Sequence, residues 1–242
     1  MSLTILIVAI FAVVQSMFGI GLLVFGTPTF LLLGHSFVET LAILLPASIT
    51  VSLLQVWKDP RQDAAFVRLF ARWCLVPLAV TLVAVLYWKQ KSSLNLAIAV
   101  LLSAFAVLRT FPKLGRKASD WVIGRERIWL ATMGLVHGLS NLGGSMLMIF
   151  AVSKCRRKED IRAMIAFCYV CFASIQLGTL AILTPQAFGW NQFCYAAVAG
   201  AAYLLVGRRV FGWVSAPAFD RLLTLFAAAY AGLLALRSAS VF

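Results

Sequence analysis

The sequence is poor in charged residues, and above all in acidic ones. Only 12% of its 242 residues are charged, and Asp and Glu together number 8. A soluble domain carries about 25% charged residues and is about half apolar, whereas this chain is 62% hydrophobic, with a mean hydropathy of +0.96. The composition therefore excludes an ordinary soluble domain and indicates a membrane protein.

Histidine and cysteine are also scarce, with 2 and 5 residues respectively. An enzyme within the membrane would need a cluster of His, Asp, Glu or Cys at membrane depth, and the sequence offers His137 with scattered thiols. The Gly-x-x-x-x-Gly-Lys-Ser/Thr motif that cradles nucleotide phosphates is absent. We therefore predict that the chain is not an enzyme, does not hydrolyse ATP, and needs no metal or cofactor.

Apolar runs of the length needed to cross a bilayer recur along the chain. A membrane-spanning helix needs about 20 predominantly apolar residues. The runs cover residues 2–33, 37–57, 66–88, 93–109, 128–153, 161–184, 190–206 and 218–236. This pattern predicts an all-α polytopic membrane protein.

Two of these runs are interrupted midway by glycines and polar residues. They are AVVQSMFGIGLLVFG (12–26) and LVHGLSNLGGSMLMI (135–149). Each is followed by an acidic residue and then by a helix with a glutamine far along it, Gln55 or Gln176. The spacing predicts two repeats, residues 1–110 and 128–242, joined by a basic linker at 111–127. Chance similarity between apolar segments is the alternative.

The distribution of Lys and Arg favours an inverted arrangement of the repeats. If all eight runs crossed the membrane, basic residues would divide almost evenly between the two sides, against the rule that cytoplasmic loops are basic. If the interrupted runs instead enter and leave on one side, the loops at 58–72, 109–127, 154–162 and 208–221 share a side and hold eighteen of the 21 basic residues. Each half is then a re-entrant hairpin plus three spans. The linker would be cytoplasmic and both termini periplasmic. The first hairpin could also be a full span plus a half-helix, because residues 2–17 are nearly long enough to cross.

The interruptions are the candidate binding site. Irregular backbone at membrane depth is tolerated where it is buried or lines a polar cavity, and interrupted helices in matching repeats point to a transporter's substrate site. Exposed N–H groups at a glycine-rich turn and the positive end of a half-helix both favour an anion. We expect the two tips to face each other.

The predicted substrate-binding residues lie at the two tips and on the helices that follow them. They are Gln15, Ser16, Gly19, Gly21, Gln55, His137, Ser140, Asn141, Gly143, Gly144, Ser145 and Gln176. The glycines could instead serve close helix packing alone, and His137 could be a structural hydrogen-bond partner. Ser48 and Ser52 could bond to their own helix or contact the substrate.

The residues around both interruptions resemble those of a known family. FGIGLLVFGTPTFLLLGHSFVETLAILLPASITVSLLQ and NLGGSMLMIFAVSKCRRKEDIRAMIAFCYV resemble the two repeats of the sulfite exporter TauE/SafE family. The matching positions are Gly19, Gly21 and Pro28, and Asn141, Gly143 and Gly144. Leu22 stands where a third glycine is common, and Phe150 lies near the place of a missing proline. The resemblance implies a transporter of the bacterial inner membrane that exports sulfite, organosulfonates or related small anions.

These features together predict a secondary transporter that exports a small anion by alternating access between the hairpin tips. The anion's own gradient or proton coupling through His137 could drive it. A passive anion channel and a non-transporting accessory protein are the alternatives. The expected partners are a small anionic substrate and the lipid bilayer, and the chain could form a homodimer. The net charge of +13 is attributed to cytoplasmic loops and not to nucleic-acid binding.

Overall fold

The described part of the protein is helical. In this computed structural model the described residues are 2–57, 62–88, 121–213 and the isolated positions 215, 218, 221 and 225, and no strand occurs among them. The predicted run at 93–109, nearly all of the run at 218–236 and residues 111–120 of the predicted linker lie outside the described residues.

The helices follow one another in two similar series. The first series is α1 (Ser2–Phe18), α2 (Leu22–Leu32), α3 (Phe37–Val56), α4 (Ala64–Phe70), a π turn (Ala71–Leu75) and α5 (Val76–Trp88). The second is α6 (Glu126–Ser140), α7 (Gly143–Lys154), α8 (Lys158–Leu183), a 3-10 turn (Pro185–Ala187), α9 (Asn191–Ala202), a π turn (Tyr203–Gly207) and α10 (Arg208–Trp213). In each series an interrupted pair precedes a long helix and then a second long helix that contains a π turn.

Four continuous helices among the described residues are long and apolar enough to cross a bilayer. They are Phe37–Val56, Ala64–Tyr87, Lys158–Leu183 and Asn191–Trp213, and each overlaps a predicted run. The helices α1, α2 and α7 are apolar but shorter. The prediction of an all-α polytopic membrane protein is confirmed by this architecture.

Polar residues set the starts of two of the spanning helices. At α3, the Glu39 N–H donates to Ser36 Oγ at 3.2 Å, and the Ser36 N–H donates to Glu39 Oε2 at 2.8 Å. At α4, the Ala65 N–H donates to Asp63 Oδ1 at 3.0 Å. These bonds pair N–H groups that the first turn of a helix otherwise leaves without partners.

The two series interlock. The helix α3 packs along α8 and α9, so the long helices of both series form the centre. The helix α1 packs against α9 and the following π turn, while α6 packs against α5 and the preceding π turn. The first helix of each interrupted pair therefore packs against the π-turn helix of the other series.

The second interrupted pair, α6 and α7, begins and ends at neighbouring positions. Lys154 Nζ, at the end of α7, lies 3.0 Å from Glu126 Oε2, at the start of α6. Between the two helices, Trp129 Nε1, in the first turn of α6, donates to the Met146 carbonyl oxygen of α7 at 3.2 Å. A re-entrant hairpin requires this geometry. The opposite orientation of the two halves in the membrane stays a prediction.

Candidate functional site

Both interruptions of the sequence are breaks between helices, and they share one backbone geometry. Gly19 has φ +73° and Asn141 has φ 63°, so each break turns through the left-handed region. The N–H of Gly19 donates to the Gln15 carbonyl oxygen at 2.8 Å, and that of Asn141 donates to the His137 carbonyl oxygen at 2.8 Å. Glycine enters this region freely, and asparagine is one of the few other residues that tolerate it.

The side-chain amide of Gln15 closes the first break. Its Nε2 donates to Ser52 Oγ at 3.0 Å and to the Ser48 carbonyl oxygen at 3.2 Å. Its Oε1 accepts from the N–H of Leu22, the first residue of α2, at 3.3 Å. Gln55 Nε2 also donates to the Gln15 carbonyl oxygen at 3.2 Å. One buried glutamine thus joins α1, α2 and α3.

Asn141 links the second break to the first interrupted pair. Its Nδ2 donates to Thr27 Oγ1 on α2 at 2.8 Å, and its Oδ1 accepts from Gln176 Nε2 on α8 at 3.3 Å. Among the described residues, Ser140 and Ser145 bond only to their own chain neighbourhood. The Leu142 N–H donates to Ser140 Oγ at 3.3 Å, and Ser145 Oγ donates to the Leu142 carbonyl oxygen at 2.9 Å.

Beside Asn141, three fully buried side chains hold polar atoms that have no hydrogen-bond partner among the described residues. The His137 ring stacks on Phe172 at 4.1 Å between centroids and meets Tyr169 edge-on at 6.2 Å. Neither ring nitrogen of His137 is hydrogen-bonded within the described part of the chain, and the same holds for Tyr169 Oη and Gln176 Oε1. The Gln176 side chain interacts with the His137 ring without reaching the geometry of a hydrogen bond. Leaving such atoms unpaired is unfavourable, so buried polar groups normally have partners.

The phenol of Tyr169 lies directly against the first turn of α7. A Cβ atom built on Gly144 would overlap Tyr169 Oη, and one built on Gly143 would meet His137 Cβ. Both glycines are therefore required by close approach. The unpaired Tyr169 Oη consequently lies at the positive end of a helix, where anions are favoured.

A family model described as Sulfite exporter TauE/SafE matches residues 4–234. The chain belongs to this family. It is therefore a multi-pass membrane protein of a family of exporters, as the resemblance predicted. No curated protein and no solved structure matches the chain significantly.

In this TauE/SafE protein all twelve predicted site residues are buried, and they form two groups. Gln15, Ser16, Gly19, Gly21 and Gln55 surround the first break, and His137, Ser140, Asn141, Gly143, Gly144, Ser145 and Gln176 surround the second. The Ser16 hydroxyl is paired within its own helix, because its Oγ donates to the Ala12 carbonyl oxygen at 2.6 Å.

The breaks do not meet end to end, which differs from our expectation that the tips face each other. Asn141 contacts Thr27 in the middle of α2, and Gly19 lies against Ile165 on α8. The beginning of α7 also lies beside α2, since a Cβ on Gly144 would come within 2.7 Å of Val24 Cγ2. The second break therefore lies beside α2, the helix that follows the first break.

Sequence reasoning missed Thr27 and Tyr169 as site residues. Tyr169 could have been found from helical spacing, because Tyr169, Phe172 and Gln176 share one face of α8. Ser48, Ser52 and Gln55 share the corresponding face of α3, which accounts for their common contact with Gln15. Thr27 had no such signal, since its role depends on a contact across the two halves.

A basic cavity lies at the end of the bundle where α8 begins and α10 ends. Its volume is about 470 Å³, and it is lined by Arg162, Tyr203, Leu204, Arg208, Arg209, Phe211 and Gly212. The Arg162 guanidinium lies 3.5 Å from the centroid of the Phe211 ring, which fixes it at the cavity wall. Arg208 and Arg209 are exposed, so the cavity presents positive charge to solvent.

Proposed function

We propose that this TauE/SafE protein is a secondary transporter that exports sulfite or another small sulfur oxyanion by alternating access. The observation that carries the proposal is the group of unpaired polar atoms on His137, Tyr169 and Gln176 at the N-terminus of α7. These atoms are fully buried, and a ligand with several oxygens would give them hydrogen-bond partners. The family of exporters to which the chain belongs supports transport as the role of that ligand.

The charge distribution supports an anion over a cation. The acidic residues of the described ranges, such as Glu39, Asp63 and Glu126, lie near helix ends and not at the breaks. The breaks instead offer backbone N–H groups, neutral side-chain donors and a helix N-terminus. The basic cavity around Arg162 and Arg208 would raise the local concentration of anions at one end of the bundle.

The same proposal assigns an orientation. The basic cavity and the Lys154–Glu126 pair would face the cytoplasm of a bacterial cell, with both termini in the periplasm, because basic loops are retained inside. Residues 1–110 and 128–242 would be the two inverted repeats of a single membrane domain.

The test is uptake of radiolabelled sulfite into proteoliposomes, with sulfate, thiosulfate, taurine, sulfoacetate and chloride as competitors. Asn141→Gly keeps the left-handed turn accessible and removes the amide that joins Thr27 and Gln176. Arg156→Ala, at an exposed position between α7 and α8, is the control. We expect saturable uptake in the wild type and in Arg156→Ala, and strongly reduced uptake in Asn141→Gly. Folded protein that moves none of these anions would contradict the proposal.

A further inference from the structure

We propose that the two breaks have different roles, and that the ligand binds at the second. In this assignment Gln15 closes the first break as a structural latch, while Tyr169, His137 and Gln176 hold the oxygens of a small oxyanion. The assignment rests on the proposed transport function and specifies which residues contact the transported ion.

The comparison of the breaks depends on equivalent positions. Gly19 and Asn141 are 122 positions apart, and so are Gln15 and His137. Each pair has the same backbone role, since the carbonyl oxygen of Gln15 or His137 accepts from the left-handed residue four positions later. The backbones of the two breaks are therefore alike, and their side chains can be compared directly.

The helices that cover the breaks correspond with a spacing of 121 positions. Gln55 on α3 corresponds to Gln176 on α8, Ser48 to Tyr169, and Ser52 to Ala173. In the first break the hydroxyls of Ser48 and Ser52, at 3.4 and 3.0 Å, and the Ser48 carbonyl oxygen, at 3.2 Å, are the partners of the buried Gln15 amide. In the second break a tyrosine and an alanine stand in their places.

This exchange removes both serine hydroxyls from the second break. The Gln15 amide is fully paired, because its Nε2 donates to α3 and its Oε1 accepts from Leu22. His137, at the equivalent position, makes no hydrogen bond of standard geometry within the described part of the chain, and its ring interacts only loosely with the Gln176 side chain. Tyr169 Oη beside it is unpaired within the same residues. Within the described residues the first break leaves one buried polar atom unpaired, Gln55 Oε1, whereas the second leaves four, on His137, Tyr169 and Gln176. The same fold therefore pairs the central side chain at the first break and leaves its equivalent, with Tyr169, for a ligand at the second.

The chemistry of the second break fits a small oxyanion. The Tyr169 hydroxyl is a donor, a neutral imidazole has one donor and one acceptor, and the Gln176 amide oxygen is an acceptor. Tyr169 Oη also lies at the start of α7, where the helix favours negative charge. The donors can bond to the oxygens of the ion. The acceptors can bond to a hydrogen that the ion carries, as in hydrogensulfite.

Two variants separate the proposed roles. Tyr169→Phe removes a hydroxyl that has no partner among the described residues, so the melting temperature should change by less than about 2 °C. Sulfite affinity should nevertheless fall about 10- to 100-fold, since the hydroxyl would bond to a charged ligand. Ser52→Ala removes one partner of Gln15 at the equivalent place in the first break. It should lower the melting temperature and leave sulfite affinity within about twofold, a change of under 0.5 kcal/mol.

A third variant tests the comparison itself. His137→Gln, Tyr169→Ser and Ala173→Ser together give the second break the side chains of the first. We expect this triple variant to fold and to lose sulfite binding, because the transplanted groups would pair with one another.

The measurement is the dissociation constant of sulfite for purified protein, with the melting temperature and initial uptake rate recorded for each variant. Unchanged affinity in Tyr169→Phe, or an equal loss of affinity in Ser52→Ala, would overturn the assignment of the second break while transport by the wild type stands. Absence of both sulfite binding and flux in folded wild-type protein would overturn the transport proposal and this assignment together.

Discussion

Replacement of Gln15 by leucine should destabilise the protein more than the same replacement at Gln176. Leucine has a similar volume, so the change chiefly removes hydrogen bonds. Gln15 loses bonds to Ser52 Oγ, to the Ser48 carbonyl oxygen and from the Leu22 N–H. Hydrogen bonds within membrane proteins contribute about 0.6 kcal/mol each on average, so three of them contribute about 2 kcal/mol.

The expected loss is measurable as a lower melting temperature. For a chain of this size, about 2 kcal/mol corresponds to about 4–8 °C. The serine hydroxyls can bond to carbonyl groups of their own helix after the substitution, whereas the Leu22 N–H at the start of α2 loses its partner. Gln176→Leu removes one side-chain bond, to Asn141 Oδ1 at 3.3 Å, and should lower the melting temperature by about 1–2 °C.

The assay is thermal unfolding of both purified variants and the wild type in one detergent, without added anion. If Gln15→Leu melts within about 2 °C of the wild type, or if Gln176→Leu is the less stable of the two, the latch role of Gln15 is refuted. Unfolding without ligand separates this structural effect from any effect on transport.

Three further predictions concern the hairpin geometry, the basic cavity and the close approach of Gly144 to Tyr169. Cysteines placed singly at Glu126 and Lys154 in a cysteine-free background should react with an impermeant maleimide from the same side of the membrane, because the two residues are paired at 3.0 Å; reaction from opposite sides would contradict a re-entrant hairpin. Arg208→Ala should raise the KM for sulfite several-fold at low ionic strength and much less at 1 M salt, where the screening length falls to about 3 Å; an effect independent of salt would contradict a steering role. Gly144→Ala should reduce uptake, because its methyl group would overlap the phenol above it, whereas Gly178→Ala, with open space around its Cβ, should not; equal uptake by both would refute the close approach.

Hydropathy and glycine placement were sufficient to predict the helices and both breaks. Runs such as 37–57 and 161–184 have the length that a bilayer imposes, and this requirement is local. The break at Asn141 was also readable, because glycines and polar residues within an apolar run are costly unless the backbone turns there. The family was identifiable from the same segments.

The contacts between the halves were not predictable in this way. A helix surrounded by lipid and protein is apolar on every side, so periodicity does not show which face packs against which neighbour. That choice of face determines the packing of α1 on α9 and of α6 on α5. It also determines the contact of Asn141 with Thr27. Helical spacing groups Tyr169 with Gln176 on one face of α8, but it does not show that this face meets the second break.

Transport by alternating access is tested most directly by the flux of sulfite through reconstituted protein under counterflow conditions. Proteoliposomes loaded with unlabelled sulfite are diluted into a low concentration of labelled sulfite, and initial uptake is compared with that of empty vesicles. Alternating access predicts saturable uptake that is accelerated by sulfite on the inside and weakened by Tyr169→Phe. Uptake that rises linearly with concentration and does not respond to internal sulfite would contradict the transporter and indicate a passive channel.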